Sequence, residues 1–510
     1  MNTKLLIALF SLSWLGACAV NPVTGDRDLI LVSGQQELSM GAQNYAPMQQ
    51  SQGGSYDVDP ELTEYVQSVG NRLAAVSDVQ LPYEFTVLNN SVPNAWALPG
   101  GKIAINRGLL VELTSEAELA AVLGHEIVHA AARHTAQQMS KGMLLQGLVI
   151  GTSIATSDSD YGNLAVGGAS IAAQLLSTKY GRSAELESDK YGMRYMAKAG
   201  YDPQGAVALQ ETFLRLSEGR NQDWLSGLFA SHPPSSDRVV ANKKTAAKLG
   251  AGGDLGVDSF NAAIKKTLAA KPAYDVYDDG RKALSEKKAD EALALANKAL
   301  NLFPKEAHFH ALRGDVRLVN KQYSMAITNF DRAINRRDDF FYYHLQSGMA
   351  KNELGRTDGA VIDLERSLAL FPTAPAHFTL GKIKQDRGAV DEAMKHYNAI
   401  AQSGGAYGDA AKAELVRLEL PTNPSAHIAS VCGDDGSGRL GVSVRNDTPL
   451  PVSGVEVLFQ YIDAGGIERQ QSGKVGAQIA AGKIASVKTG LAITAGTRCV
   501  SKVVNAQIVE

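Results

Sequence analysis

A chain of 510 residues is more than one hydrophobic core serves, and at ordinary domain sizes it divides into roughly three or four domains. Its 50 Lys+Arg against 53 Asp+Glu give a formal charge of −3, so charge offers no reason to expect a nucleic-acid partner.

In chain order the first signal is "MNTKLLIALFSLSWLGAC": Lys4, an apolar run from Leu5 to Leu15, then small residues before Cys18. Leu15-Gly16-Ala17-Cys18 resembles the lipobox of a bacterial lipoprotein signal, which implies removal of residues 1–17 and acylation of Cys18. The apolar run is too short to span a bilayer comfortably. Ala19, where an aspartate is absent, resembles lipoproteins sorted to the outer membrane and implies a periplasmic protein attached there by its lipid. With Cys18 lipidated, Cys432 and Cys499 remain as an even pair in an oxidising compartment, where a disulfide is expected.

From 18 to 248 amphipathic helices alternate with one short β region. "YEFTVLN" (83–89) reads as a strand, "NAWALPGGKIAIN" (94–106) as a strand and turn, and 115–139 as one long helix started by a capping box of Ser115 and Glu118. The apolar stretch 143–176 is interrupted by Asp158 and Asp160 and is expected to form a helical hairpin packed on the domain or dipping into a membrane surface. Residues 249–271 read as a linker and helix, with the Gly-rich "LGAGGDLGVD" at 249–258.

Between 272 and 420 the sequence repeats. Ala292, Ala326, Ala360 and Ala393 recur at spacings of 34, 34 and 33, and Gly314, Gly348 and Gly381 keep step in the preceding helix. That period resembles tetratricopeptide repeats, which stack into an α-solenoid with a concave groove. Residues 425–510 change texture: 439–446, 452–463, 483–493 and 503–510 alternate and are β-branched, predicting a small antiparallel β-sandwich. Cys432 is expected before its first strand and Cys499 before its last, so a bridge would staple the ends of the domain.

The chemistry sits in "LGHEIVHAAARH" (123–134). His125 and His129 are four apart on a helix, so both imidazoles leave one face a turn apart, within reach of one zinc ion. Glu126 lies beside them, placed to take a proton from a metal-activated water without ligating. His134 is five beyond His129 and falls off that face, on the surface or behind a ligand. A catalytic zinc takes a third protein ligand. The carboxylate-rich helix "YGRSAELESDKYGMRYM" (180–196) offers Glu185, with Asp189 four further on to orient a ligand histidine, though spacing alone does not exclude Glu187.

Together, H-E-x-x-H, a downstream E-x-x-x-D, "NAWALPGGKIAI" and "SHPPSSDR" resemble the HtpX-like and CAAX prenyl endopeptidase group of zinc metallopeptidases, whose domain is zincin-like and mainly α. "NPVTGDRDLILVS" (21–33) and the repeats are similar to its β-barrel assembly-enhancing lipoprotein type. The resemblance covers about residues 20–420; the C-terminal β-domain departs from that pattern. It implies one Zn²⁺ per chain, held by His125, His129 and Glu185, with Asp189 behind a ligand. It places His232 on a loop over the site, plugging the open position or aiding the oxyanion, with Arg238 nearby, and makes Asn94, Ala95, Trp96 and Ala97 an edge strand for extended substrate.

The expected function is therefore zinc-dependent endopeptidase action on misfolded or misassembled envelope proteins, with the repeats holding substrate or β-barrel assembly partners. The competing expectation is a chaperone or assembly scaffold for outer-membrane β-barrel proteins that carries a latent protease.

Overall fold

The structure is a computed structural model, and it describes residues 18–146, 180–219, 232, 235–250, 252–463, 465–493 and 498–509. The signal segment 1–17 and nearly all of the apolar stretch 143–176 lie outside the described residues. Among the described residues no helix is long and apolar enough to cross a membrane. Compact packing divides the chain into two units, Met1–Pro372 and Thr373–Glu510.

The first unit opens on a hairpin, β1 (Cys18–Val20) against β2 (Arg27–Leu29), in which Cys18 pairs with Leu29. Helices α1 (Gly34–Ser51) and α2 (Pro60–Ala74) follow, and then a three-stranded sheet of β3 (Glu84–Leu88), β4 (Ala95–Leu98) and β5 (Lys102–Asn106). Its order is β3-β5-β4, with β3 parallel and β4 antiparallel to the middle strand, so β4 is an edge.

Helix α3 (Glu116–Ala131) is buried on all sides, as its run of Ala, Leu and Val demands. Ser115 Oγ accepts from Glu118 N–H as the capping box predicts, but the Glu118 carboxylate reaches back to Thr114 N–H. The helix does not continue to 139. Arg133 takes a left-handed φ of 62°, its guanidinium held by the Glu37 carboxylate and the Val32 carbonyl, and a second helix, α4 (His134–Gln146), starts afresh. That break redirects His134, which a continuous helix would have carried away from the site.

Helix α5 (Arg182–Lys198) packs on α3, and α6 (Gln204–Gly219) and α7 (Ser236–Leu249) complete the layer. Closeness comes from a glycine pair: a Cβ on Gly192 would stand 3.0 Å from Gly124 C and from His125 N. Residues 252–256 are fastened rather than loose, since Leu255 and Gly256 carbonyls accept from Ala117 and Glu116 N–H at the start of α3. Helix α8 (Val257–Ser285) buries Phe260 and Ile264 in the same core as Leu119 and Leu123, and that core continues to Phe309 of the repeats.

The repeats are helix pairs: the end of α8 with α9 (Ala289–Leu302), α10 (Ala307–Val319) with α11 (Tyr323–Ile334), and α12 (Phe341–Glu353) with α13 (Thr357–Leu370). Gly314 faces the Phe330 ring and Gly348 faces Leu364, each too near for a Cβ, which is the physical reason for their 34-residue recurrence. The second unit begins with α14 (Ala374–Asp386), α15 (Val390–Ile400) and α16 (Gly405–Glu419).

It ends in two three-stranded antiparallel sheets, of order β10-β7-β6 and β11-β8-β9. The strands are β6 (Ile428–Asp434), β7 (Arg439–Asn446), β8 (Val452–Ile462), β9 (Glu468–Lys474), β10 (Ile484–Ala492) and β11 (Cys499–Ile508). Leu440, Val442, Val444, Val455, Val457 and Phe459 alternate into the core between them. Cys432 and Cys499 are bonded with their Cα atoms 5.7 Å apart. They lie within β6 and β11 rather than ahead of the first and last strands, so the bridge ties one sheet to the other.

Candidate metal centre

Helix α3 presents His125, Glu126 and His129, helix α5 presents Glu185 and Asp189, His232 approaches from the chain before α7, and Arg238 from the first turn of α7. One donor atom from each of His125, His129, Glu185 and His232 lies within 4.8 Å of every other, and all four residues are buried. The separations are 2.9 Å for His125 Nε2 to His129 Nε2, 3.2 Å for His125 Nε2 to His232 Nδ1, 3.1 Å for His232 Nδ1 to Glu185 Oε1 and 3.4 Å for His129 Nε2 to Glu185 Oε1. Ligands about 2.1 Å from a tetrahedral ion stand about 3.4 Å apart, so these atoms already mark the corners of such a site.

Protonation follows from the neighbours. Burial alone would push the Asp189 carboxyl up, but hydrogen bonds from Arg238 and His125 hold it below the usual carboxylate range. An ionised Asp189 only accepts, so His125 Nδ1, 2.9 Å from Asp189 Oδ1, carries the proton and leaves Nε2 as a lone pair facing the cluster. Arg238 grips Asp189 with two N–H groups at 2.8 and 2.7 Å and reaches Glu185 Oε2 at 2.8 Å. Burial likewise opposes the charge of Glu185, yet His232 and His125 outweigh it and keep that carboxyl far below its ordinary value. For His129 burial dominates and pushes the imidazole well down, toward the neutral form a ligand needs.

Glu126 is different: burial raises its pKa, and its Oε2 is a buried oxygen with no hydrogen-bond partner among the described residues. An orphaned carboxylate oxygen beside three imidazole nitrogens and a second carboxylate is what a metal ion with a polarised water would satisfy. The residues present fit the group.

Each residue read from the sequence has a place. Asn94 immediately precedes β4, and Ala95, Trp96 and Ala97 are on that edge strand, with Ala95 lining a cavity that His125, Glu126 and His232 also line. Leu109, Val122, Met193, Met196, Leu209 and Phe213 make its wall apolar. Glu187, left open by spacing, does not join the cluster; it lies 3.4 Å from His134 Nε2. Sequence reasoning missed Tyr180, whose ring stacks on His129 with centroids 3.8 Å apart; His134, expected on the surface or behind a ligand, is buried behind His129 with the two Nδ1 atoms 2.9 Å apart. Tyr180 carried no spacing signal, whereas a third histidine beside H-E-x-x-H did.

Residues 60–246, which contain the whole cluster, match the profile of peptidase family M48. The catalytic domain belongs to peptidase family M48. The chain is similar along most of its length to the beta-barrel assembly-enhancing protease of Yersinia pestis, 28% identical over 423 residues, which are 75% of this chain and 86% of that protein. The protein of the same name from Escherichia coli is 27% identical over 50% of this chain and spans 52% of its own length. The mitochondrial metalloendopeptidase OMA1 of Arabidopsis thaliana is 35% identical over 169 residues, 32% of each chain. Family and geometry together make the chain a metalloendopeptidase, with His125, His129, Glu185 and His232 as the group of side chains whose donor atoms are close enough to hold a metal ion.

Proposed function

We propose that the chain is a zinc endopeptidase held by a lipid on Cys18 at the periplasmic face of the outer membrane, where it cleaves misfolded or misassembled envelope proteins. The observation that carries the reading is the buried donor cluster with the unpartnered Glu126 Oε2 beside it. The similarity to the beta-barrel assembly-enhancing proteases of Yersinia pestis and Escherichia coli supports the setting, as does the lipoprotein-like start of the sequence.

In this reading His125, His129 and Glu185 hold Zn²⁺, and Asp189 with Arg238 fixes the His125 and Glu185 orientations. Zinc held there would supply Lewis acidity, activating a water and polarising the scissile carbonyl. Glu126, made more basic by burial, accepts the proton of the attacking water and returns it to the leaving amine. Extended substrate adds to the β4 edge at Asn94–Ala97, and the apolar cavity takes one of its side chains. The test is Glu126→Gln in the full chain: zinc stays bound and casein cleavage falls at least about 10³-fold, the size of losing a base and its activated water. Retained cleavage would sink the assignment.

One observation favours a second reading, a chaperone or assembly scaffold with a latent protease. His232 Nδ1 stands among the donors, where it fills the position a substrate needs. His232→Ala should then raise basal cleavage. Full rescue of envelope integrity by Glu126→Gln would favour the scaffold, and none would favour proteolysis.

A further inference from the structure

The segment "NPVTG" at 21–25 has no part in the mechanism, yet its first residue is 2% exposed. Asn21 shapes its own turn: Oδ1 accepts from Val23 N–H at 3.0 Å and Thr24 N–H at 3.3 Å, and the Asn21 carbonyl accepts from Gly25 N–H at 2.8 Å. The amide end is left over, and Nδ2 donates to Glu187 Oε1 at 2.9 Å. The same carboxylate oxygen is 3.4 Å from His134 Nε2, and His134 Nδ1 is 2.9 Å from His129 Nδ1. Ser188 Oγ lies 3.5 Å from His134 Nδ1.

The direction of this line is forced by its ends. His129 must offer a lone pair at Nε2 to act as a ligand, so its proton is on Nδ1 and is donated to His134 Nδ1. His134 then carries its own proton on Nε2 and donates it to Glu187, whose carboxylate also accepts from Asn21. Each of the two rings has one proton to give and one acceptor to meet, and the line ends on the Glu187 carboxylate, which only accepts. His129 and His134 are 1% and 2% exposed, so bulk water does not substitute for a missing member.

We propose that Asn21, Glu187 and His134 are positioning residues that fix the tautomer and ring orientation of His129, as Asp189 does for His125. The proposal rests on the reading that His129 ligates a metal. It makes the N-terminal hairpin, whose first strand contains Cys18, a working part of the metal centre in addition to a tether. It also gives "NPVTG" a reason: the turn aims one amide at Glu187.

The test is competition between the full-length protein and a chromogenic chelator for Zn²⁺. Glu187→Ala should weaken zinc binding by about 10–100-fold, Asn21→Ala by less, and Glu187→Gln, which keeps an acceptor for His134, should recover most of the loss. The Asn21→Ala/Glu187→Ala double variant should be no weaker than Glu187→Ala, because both act through one carboxylate. Chelator-treated wild type and Glu187→Ala should melt within a few degrees of each other. The proposal is overturned if Glu187→Ala binds zinc within about twofold of wild type, or if the two single losses add. Zinc binding that survives His125→Ala, or is absent from wild type, would overturn the metal reading itself.

Discussion

Gly192→Ala isolates the helix contact on which the metal site depends. The added Cβ would meet Gly124 C and His125 N at 3.0 Å, and these are backbone atoms of the helix bearing two ligands, so no side chain can swing aside. Carbon atoms settle at about 3.5–4.0 Å, which requires the two helices to part by roughly half an ångström. Overpacking of this kind costs about 1–3 kcal/mol, and replacing an interior helical glycine by alanine returns up to about 1 kcal/mol, so the melting temperature should fall by only a few degrees. Metal geometry is less forgiving, with a tolerance of about 0.2 Å in ligand distance. Zinc affinity should therefore drop at least about tenfold while the fold persists. Chelator competition and casein cleavage, measured beside a differential scan, check this, with Gly142→Ala as control because nothing lies within 4 Å of its Cβ. Unchanged zinc affinity in Gly192→Ala would falsify the claim that this close approach sets the site.

Three further outcomes follow from other parts of the molecule. Burial holds His308 at a pKa of about 4 against 6.5, with Nε2–H donating to the Gly53 carbonyl and Nδ1 accepting from Tyr343 O–H. The unfolded chain thus binds the extra proton between those values, so this stabilisation is complete above about pH 6.5 and is lost as pH falls toward 4, amounting to about 3 kcal/mol. Denaturant titrations from pH 4.5 to 7.5 should show a shallower acid loss in His308→Asn than in wild type; identical slopes would refute the assignment. Replacing Cys432 and Cys499 by serine removes a 67-residue closure and should cost about 4 kcal/mol in the C-terminal unit, read by its melting, with casein cleavage unaltered. Val122→Phe fills the apolar cavity and should cut kcat/KM by about 10–100-fold for peptides with a large apolar residue there, leaving peptides with a small one untouched.

The parts of the site legible in the sequence are those set by short-range geometry. His125, Glu126 and His129 fall into place because four residues of helix return to the same face, and the repeats are visible because each packs on its neighbour with a fixed period. Glu185 and Asp189 lie on a different helix, so spacing narrowed them to a carboxylate cluster and only resemblance separated Glu185 from Glu187. His134 was expected on the surface or behind a ligand, and spacing did not choose between the two for a definable reason. The break at Arg133 is held by Glu37, 96 positions earlier, and no local pattern announces that a non-glycine residue adopts a left-handed φ. The strands 428–434 and 468–474 were missed; the second, Glu-Arg-Gln-Gln-Ser-Gly-Lys, lacks an apolar face to alternate.

What no periodicity could disclose is how the first repeats are joined to the peptidase domain. Positions 274, 306, 308 and 337 look like ordinary variable positions of a repeat, yet each is spent on the catalytic domain. Arg107 lies over the Tyr274 ring at 3.4 Å, Asn89 donates to Glu306, His308 donates to the Gly53 carbonyl, and Arg337 binds the Ser55 carbonyl and Asp57. Buried polar contacts of this kind are costly to leave half-made, so separating the two would expose several unpaired groups at once. These repeats and the metal site therefore move as one body. Under the proposed function, a client held by residues up to 370 would meet the β4 edge at a fixed distance, and holding and cutting would be successive uses of one unit. For such a unit, a protease-dead variant that still binds clients should retain them, and that retention distinguishes a scaffold that also cuts from a protease that merely binds.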